Sequence, residues 1–367
     1  MDNYLASGNL TDSTNFYFNL SFELLSGCQF SCKGCHVNKN AEAPFTDEMY
    51  FRLKRLMESV SEDSYKPFIA FINPTDFLSA DNTVTALSDK RVVEILRHFK
   101  RLSFQTTYLN IERVVEIGKV LREHYSDMEL EINILIEPDK IENIKYLNTL
   151  QRNQNIVHEV FDWPRPIRRF GIMNVFDYDS TRIAELLKDY DHMHKCVEHL
   201  FETTIDFNFS LGRKDNDLSN EEFLSAANRI KNLFNTAMVS QNKGDYLRFS
   251  FGRISDSLVE RQYNWKGGDL YFSPLLYERY VSFTEPLKIE TPECTVQELE
   301  KFEEEVVLSQ YMNVGDKEEC SDCPLLGSCV DRGILHLMDI YDVKECLVSR
   351  DAMFVVNTMG ALPHGSS

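Results

Sequence analysis

The chain has 367 residues, of which 43% are hydrophobic and 26% are charged, and 39 Lys and Arg against 58 Asp and Glu give a net charge of −19. These proportions are those of a globular protein with a sizeable core, which excludes a mainly disordered chain and suggests about two domains. The sequence has neither a run of about 18 apolar residues, as a membrane span needs, nor a basic and apolar start typical of a secretory signal, so we expect a cytoplasmic protein with no membrane partner.

The first predicted strand and the first predicted helix flank a loop that contains three cysteines. Residues 15–25 are aromatic and apolar with partial alternation, which predicts a strand. Residues 46–57 start at an N-capping Thr46, continue with acidic residues and keep helical apolar spacing, which predicts a helix. We therefore expect the three-cysteine loop to lie between a strand and a helix.

The loop carries Cys28, Cys32 and Cys35, spaced Cys-x3-Cys-x2-Cys. The chain has nine cysteines, and this odd number, with close spacings and no signal peptide, favours metal ligands or redox centres over a disulfide framework. Three thiolates can hold three irons of a cubane cluster and leave the fourth open for chemistry, whereas a structural site is closed by four ligands. The alternative is a zinc site completed by His36 or by a distant residue.

This loop, placed after the first strand, resembles the signature of the radical S-adenosylmethionine (radical SAM) enzymes. The resemblance implies a [4Fe-4S] cluster whose open iron binds the amino and carboxylate groups of S-adenosylmethionine. It further implies that one electron, from a donor such as flavodoxin or ferredoxin, cleaves the sulfonium, and that the resulting 5′-deoxyadenosyl radical abstracts hydrogen from a substrate. The residue before the third cysteine is commonly aromatic in the family; here it is Gly34, whose backbone is the candidate contact to adenine.

Strands and helices alternate from residue 65 onward. The predicted strands are 67–72, 102–107, 130–136, 201–211 and 246–254, and the predicted helices are 89–100, 110–124, 140–152, 181–199 and 220–235. Such repeats favour an α/β fold with a parallel sheet and right-handed crossovers. They suit the partial (β/α)6 barrel that the resemblance implies, although a doubly wound sheet would produce a similar string.

Polar residues follow two of these strands, where parallel-sheet enzymes carry their chemistry. The turn 73–76, Asn-Pro-Thr-Asp, comes directly after the second strand. Radical SAM enzymes have a Gly-Gly-Glu-Pro-like turn there that binds the methionine amino group, so the resemblance makes Asn73, Thr75 and Asp76 candidate contacts to S-adenosylmethionine. Asn133, late in the fourth strand, is a candidate contact to its ribose or carboxylate. The alternatives are an ordinary Asn-Pro turn and a structural Asn.

The segment 162–169, Asp-Trp-Pro-Arg-Pro-Ile-Arg-Arg, interrupts the alternation. Its two prolines stop a helix or an inner strand, so we expect a loop. Three arginines within five residues of an acidic chain indicate either a contact to an anion or peptide carboxylate or, more plainly, a solvated loop.

The second cysteine cluster consists of Cys320, Cys323, Cys329 and Cys346. Four thiolates make a closed site that suits zinc or a fully ligated iron–sulfur cluster, and the spacing alone favours zinc. Together with the upstream loop, however, the pattern resembles the second half of the SPASM extension of radical SAM enzymes. That resemblance implies an auxiliary [4Fe-4S] cluster on these four residues, with Gly333 where the extension has a further cysteine.

The stretch 266–276 resembles the hairpin of the same extension, but Ser273 stands where a cysteine is expected. A first auxiliary cluster would thus lack most of its ligands, so we expect two clusters in total. Cys196 and Cys294 are left over. A buried core residue is the plain interpretation of both, and a ligand or hydrogen-donor role is the alternative for Cys294.

These features divide the chain into a radical SAM partial barrel at residues 1–254 and a small SPASM-like iron–sulfur cap at residues 255–367. The SPASM resemblance implies hydrogen abstraction from a peptide or protein side chain. Two alternatives stay open, namely a radical SAM enzyme acting on a small molecule or nucleotide, and a non-enzymatic zinc-binding module. The charge of −19 disfavours a large nucleic acid, which needs a positive field. No residue is identified as the catalytic acid, base or hydrogen donor.

Overall fold

The computed structural model describes residues 16–30, 45–62, 65–73, 75–136, 140, 143–163, 167–172, 208–209, 260–272, 288–313 and 320. In chain order the elements are β1 (Phe16–Glu23), α1 (Asp47–Glu62), β2 (Tyr65–Asn73), α2 (Thr83–Ser88), α3 (Lys90–Leu96), β3 (Arg101–Thr106), α4 (Val114–Tyr125), β4 (Glu129–Ile136), α5 (Ile144–Phe161), β5 (Ile167–Ile172), β6 (Asn208–Phe209), β7 (Glu260–Lys266), β8 (Asp269–Phe272), β9 (Lys288–Ile289) and α6 (Val296–Asn313). The predicted α/β class is confirmed, and the predictions for 181–199, 220–235 and 246–254 lie outside the described residues.

The described strands form one sheet in the order β6-β5-β4-β3-β2-β1-β7-β8-β9. The strands from β1 to β7 run parallel, and β8 and β9 are antiparallel additions at the edge. From β1 to β6 each strand lies beside its predecessor in a constant direction. With right-handed crossovers this order puts all connecting helices on one face, whereas a doubly wound sheet must reverse direction. Strands β1 to β6 therefore follow one another in one direction, and β7 lies on the other side of β1. Closure into a barrel and the C-terminal cap remain predictions.

One face of the sheet packs against the helices. Along β1, Phe18, Leu20 and Phe22 are buried in a core shared with α1, α3, α4 and α5. Helix residues in this core include Leu53, Leu56, Val92, Ile95, Ile117, Leu121, Leu150 and Val157. Side chains alternate between the two faces of a strand, so the residues between these three in β1 lie on the other face.

The opposite face, which we call the polar face, carries polar groups. The strand register aligns Asn264 of β7, Ser21 of β1, Phe71 of β2, Ser103 of β3 and Glu131 of β4 in one row. The four polar members of this row are each 2% exposed or less. Buried polar groups are stable only when they are hydrogen-bonded, so this face holds a polar network or faces a ligand.

The prediction of a loop over residues 162–169 is wrong for its last three residues, which belong to a strand. Helix α5 ends at Phe161, and the C-capping Asp162 takes the left-handed conformation with φ 46°. Strand β5 begins at Ile167, so Arg168 and Arg169 are strand residues between β4 and β6. The two prolines, Pro164 and Pro166, precede this strand in sequence and lie outside the described residues.

The sheet extends past the predicted boundary between residues 254 and 255. Strand β7 pairs in parallel with β1 and forms a hairpin with β8 through Gly267 and Gly268, whose φ values are 60° and 95°. Two successive positive φ values fit the tight turn of a two-residue hairpin. The division into two domains therefore stays a prediction, and strands on both sides of it share one sheet.

No helix in the described ranges is long and apolar enough to cross a membrane.

Candidate metal centre

The first cysteine of the cysteine loop (residues 28–35) lies at the edge where β1, β2 and β3 end. Strand β1 ends at Glu23, and Cys28 follows after a short stem (residues 24–27) and is half-buried. The described residues contain no group of three His, Cys, Asp or Glu side chains placed to hold a metal. Only Cys28 and Cys320 of the predicted ligands are described, whereas Cys32, Cys35, Cys323, Cys329 and Cys346 fall outside those ranges, as does Gly34.

Asn82 holds the stem from the loop after β2. Its Nδ2 donates to the Leu24 carbonyl at 2.9 Å, and its Oδ1 accepts from the Ser26 amide at 2.7 Å. The Asp81 amide also donates to the Ser26 carbonyl at 3.0 Å. These backbone groups lie beyond the end of β1, where strand pairing no longer satisfies them. The path of the chain toward Cys28 is therefore fixed by the loop that follows β2.

Gly27 allows the stem to lie directly against this loop. Its φ is +72°, and a Cβ at this position would lie 2.3 Å from Oδ2 of Asp81. The left-handed backbone favours glycine, and a Cβ here would force the Asp81 side chain to move. On the other side of the loop, Arg113 Nη1 donates to the carbonyls of Ala80 and Asp81 at 3.0 and 2.8 Å, which anchors it to the start of α4.

Thr75, a predicted contact to S-adenosylmethionine, lies beside the same stem. It is buried, and its Oγ1 donates to the Leu25 carbonyl at 3.3 Å. Asn73 is the last residue of β2 and pairs with Glu23 of β1 at the sheet edge. The structure thus places Asn73 and Thr75 beside the cysteine stem, and their contacts to S-adenosylmethionine stay a prediction.

Asp76, the third predicted contact in this turn, joins the loops after β2 and β3. Its carboxylate accepts from Thr106 Oγ1 at 3.1 Å, and from the Thr107 amide and hydroxyl at 2.5 and 2.8 Å. The Leu78 amide adds a fourth donor at 3.0 Å. Burial raises the pKa of Asp76, and these hydrogen bonds oppose the increase. A contact to a ligand ammonium stays a prediction, and it would share oxygens that already join two loops.

Asn133 lies on the polar face of β4, between Gln105 of β3 and Arg169 of β5 in the strand register. Its Nδ2 donates to Ser103 Oγ at 2.8 Å, and Ser103 Oγ donates to Glu131 at 3.2 Å. Arg101 then pairs with Glu131 at 3.1 Å. Asn133 is therefore the end of a buried polar chain that runs toward the carboxyl edge of the sheet.

The sequence did not predict the positioning roles of Gly27, Asp81 and Asn82. Its one relevant pattern is that Asn82 directly precedes the helical residues 83–88, which predicts an N-cap. Asn82 does occupy the N-cap position of α2, but its side chain makes no capping hydrogen bond. An Asn at this position can either cap the helix or bind a distant backbone segment, and only the tertiary contacts distinguish the two roles.

Cys294 is fully buried at a turn before α6, where its φ is 54° and its amide donates to the Thr291 carbonyl at 3.1 Å. Burial raises the pKa of Cys294 to about 11, and nearby Arg52 opposes the increase. The thiolate form that a metal ligand needs is thus disfavoured, which fits the core interpretation. Cys196 falls outside the described residues.

Neither a family model nor a curated protein matches this chain. Among solved structures, native anSMEcpe with bound AdoMet is similar at 12% sequence identity and a TM-score of 0.48, over 93% of this chain and 100% of that chain. A histidine-tagged form of anSMEcpe with bound AdoMet is similar at 12% identity and a TM-score of 0.43, over 75% and 77% of the two chains. A likeness at this level establishes neither a family nor a function.

Proposed function

We propose that this chain is a radical S-adenosylmethionine enzyme whose cysteine loop holds a [4Fe-4S] cluster. The observation that carries the proposal is the position of the Cys-x3-Cys-x2-Cys loop. Its first cysteine, Cys28, follows the first described strand of a parallel sheet in which β1 to β6 progress in one direction, at the edge where β2 and β3 also end. Three thiolates fit a cluster with one open iron, and the stem before Cys28 is held by hydrogen bonds that do not involve the thiol.

A cluster on Cys28, Cys32 and Cys35 would supply the electron that cleaves S-adenosylmethionine and starts hydrogen abstraction. The protein's own residues orient the loop and the cofactor. Asn82 and Gly27 set the approach to Cys28, because they fix the stem. Such positioning lowers the barrier by limiting the geometries that the reactants explore.

We propose that the residues around the loop bind S-adenosylmethionine. The ammonium of its methionine moiety is assigned to Asn73, Thr75 and Asp76. Its ribose or carboxylate is assigned to Asn133, and its adenine is assigned to Gly34. The proximity of the turn after β2 to the stem supports the first assignment, since Thr75 bonds directly to Leu25.

We assign a second, auxiliary [4Fe-4S] cluster to Cys320, Cys323, Cys329 and Cys346. The electron donor that we propose is a flavodoxin or ferredoxin. The substrate that we favour is a peptide or protein side chain. A small molecule or nucleotide is the alternative, and a zinc-binding module without enzyme activity is the outcome that would contradict the whole proposal.

Anaerobic reconstitution tests these assignments. We expect about eight iron and eight sulfide ions per chain, since each [4Fe-4S] cluster holds four of each. We expect about half of that content after Cys320→Ala with Cys323→Ala, and formation of 5′-deoxyadenosine from S-adenosylmethionine and dithionite only when Cys28, Cys32 and Cys35 are intact. Cys196→Ala is the control and should keep the full iron content.

Two results would contradict the proposal at different levels. A colourless protein that retains zinc after anaerobic purification would exclude the radical chemistry. An iron content of about twelve would leave that chemistry intact but show a third cluster.

A further inference from the structure

One carboxylate lies directly against the stem of the cysteine loop. The ideal Cβ position of Gly27 is 2.3 Å from Oδ2 of Asp81, 2.8 Å from its Cγ and 3.2 Å from its Cβ, so the carboxylate is the nearest part of that side chain. Since a Cα–Cβ bond is about 1.5 Å long, Oδ2 lies within about 4 Å of the Gly27 Cα. Consecutive Cα atoms are about 3.8 Å apart, so this oxygen also lies within about 8 Å of the Cα of Cys28.

Backbone contacts hold Asp81 at this position. Its amide donates to the Ser26 carbonyl at 3.0 Å, and its carbonyl accepts from Arg113 Nη1 at 2.8 Å. The next residue, Asn82, binds the Leu24 carbonyl and the Ser26 amide. Because none of these contacts uses the Asp81 carboxylate, a substitution at residue 81 can remove the charge and keep the contacts.

The charge of this carboxylate is not compensated within the described part of the chain. None of the described residues donates a hydrogen bond to the Asp81 carboxylate or forms an ion pair with it. By contrast, Glu23 at the same edge lies 3.6 Å from Lys266 Nζ. The guanidinium that contacts the backbone of residue 81 belongs to Arg113, whose Nε is 3.8 Å from Glu116, so its charge is already partly balanced.

A negative charge opposes the entry of an electron into a nearby metal cluster, and the charge around an iron–sulfur cluster helps to set its reduction potential. We propose that Asp81 lowers the reduction potential of the cluster on the cysteine loop and thereby makes the reduced cluster a stronger reductant. Gly27 contributes because a larger residue would hold the carboxylate away from the stem. This inference rests on the proposed function and adds to it a residue that tunes the electron transfer.

A redox titration of the anaerobically reconstituted full chain tests this role. Titanium(III) citrate donates one electron to each cluster, and electron paramagnetic resonance (EPR) measures the reduced fraction. The cluster on the cysteine loop is the one whose EPR signal changes when S-adenosylmethionine is added. At a fixed potential, we expect the ratio of reduced to oxidised cluster in Asp81→Asn to be about three times that of the wild type. This ratio corresponds to a potential that is higher by about 28 mV, since a tenfold ratio is about 59 mV for one electron.

Two variants separate the charge of Asp81 from its other effects. Asp81→Glu keeps the charge and should keep the wild-type potential. Asp127→Asn removes one negative charge from an exposed residue just before β4 and should leave the potential unchanged. Asp127 lies at the opposite edge of the sheet, about 20 Å away along the strands, which exceeds the Debye length of about 10 Å at 0.1 M salt.

The dependence on salt is a second measurement that a structural role would not affect. Asp81 is exposed, so ions reach its carboxylate. The difference in potential between the wild type and Asp81→Asn should shrink as the salt concentration rises from 0.1 M to 1 M, because the Debye length falls to about 3 Å.

Equal potentials in the wild type and Asp81→Asn would overturn the inference, and so would an equal shift in Asp81→Glu or Asp127→Asn. If Asp81→Asn does not hold a cluster, Asp81→Ser, which also lacks the charge, decides by the same titration. Loss of the cluster from both neutral variants would assign a structural role to Asp81 and overturn the inference. A wild type that holds zinc, or whose EPR signal does not respond to S-adenosylmethionine, rejects the proposed function itself.

Discussion

Asn82 illustrates how a single side chain can fix the backbone that leads into the cysteine loop. One amide group satisfies both an acceptor and a donor of the stem, the Leu24 carbonyl and the Ser26 amide. A carboxamide is the neutral side chain that offers a donor and an acceptor side by side. Neither Ser nor Asp, the other common N-cap residues, could satisfy both backbone groups in the same way.

Asn82→Ala should destabilise the protein by about 2 kcal/mol, because two part-buried backbone groups lose their partners. Urea unfolding of the apo protein measures this change. Asn82→Asp, which keeps the acceptor for Ser26 but loses the donor to Leu24, should show a smaller loss. The Ala variant should also hold less iron after reconstitution. Unchanged stability and iron content in the Ala variant would contradict the role of Asn82 in holding the stem.

Asp76 connects two elements, since it lies after β2 and accepts from residues that end β3. Burial raises its pKa above the usual 3.8. A carboxyl with a raised pKa in the folded state binds more protons there than in the unfolded chain. Its contribution to stability is therefore complete below the unfolded pKa and is lost as the pH rises through the folded pKa.

The corresponding experiment compares the wild type and Asp76→Asn by urea unfolding at a series of pH values. The free energy of unfolding of the wild type should fall relative to that of the variant as the pH rises above the usual pKa of 3.8. Asn keeps one acceptor for the Thr107 amide, so the remaining difference should be independent of pH. A difference that is constant over the whole series would show that this carboxyl does not titrate as inferred.

Arg52 of α1 joins the C-terminal elements to the rest of the protein. Its guanidinium donates to the Thr291 carbonyl at 3.2 Å, lies 3.5 Å from the Asp269 carboxylate, and lies 5.7 Å from the Trp265 ring centroid. These partners belong to β7, β8 and the turn before α6. A planar, multivalent cation can contact all of them at once, which an ammonium cannot.

Arg52→Ala should therefore destabilise the protein by about 2 kcal/mol, since a carbonyl, a carboxylate and a ring lose the same partner. Hydrogen exchange in α6 should become faster. Arg55→Ala is the control on the same helix, because Arg55 pairs with Glu293 where both side chains are more than half exposed, and it should change stability by less than about 1 kcal/mol. Equal effects of the two substitutions would argue against this role of Arg52.

At the scale of the whole molecule, the winding of the sheet creates the two unlike faces. Strands β1 to β6 progress in one direction, and the helices described between β1 and β5 pack on one face, whereas the other face carries a row of buried polar residues. The cysteine stem, the Asp76 loop and the Glu23–Lys266 pair all lie at one edge of this sheet. Residues far apart in sequence thus share one surface because parallel strands bring their carboxyl ends together.

The sequence alone determined the α/β class, the strands β1 to β4 and the first cysteine loop at the end of β1, because these depend on local periodicity and spacing. Tertiary structure alone decided the constant order of β1 to β6, the pairing of β7 with β1, and the contacts of Asn82 and Asp81 with the stem. Residues 260–266 are largely polar and carry little strand periodicity, so their place in the sheet follows from pairing with a strand more than 200 residues away. Strand pairing, side-chain contacts to a distant backbone segment and burial all depend on residues far apart in the sequence, so no local pattern predicts them.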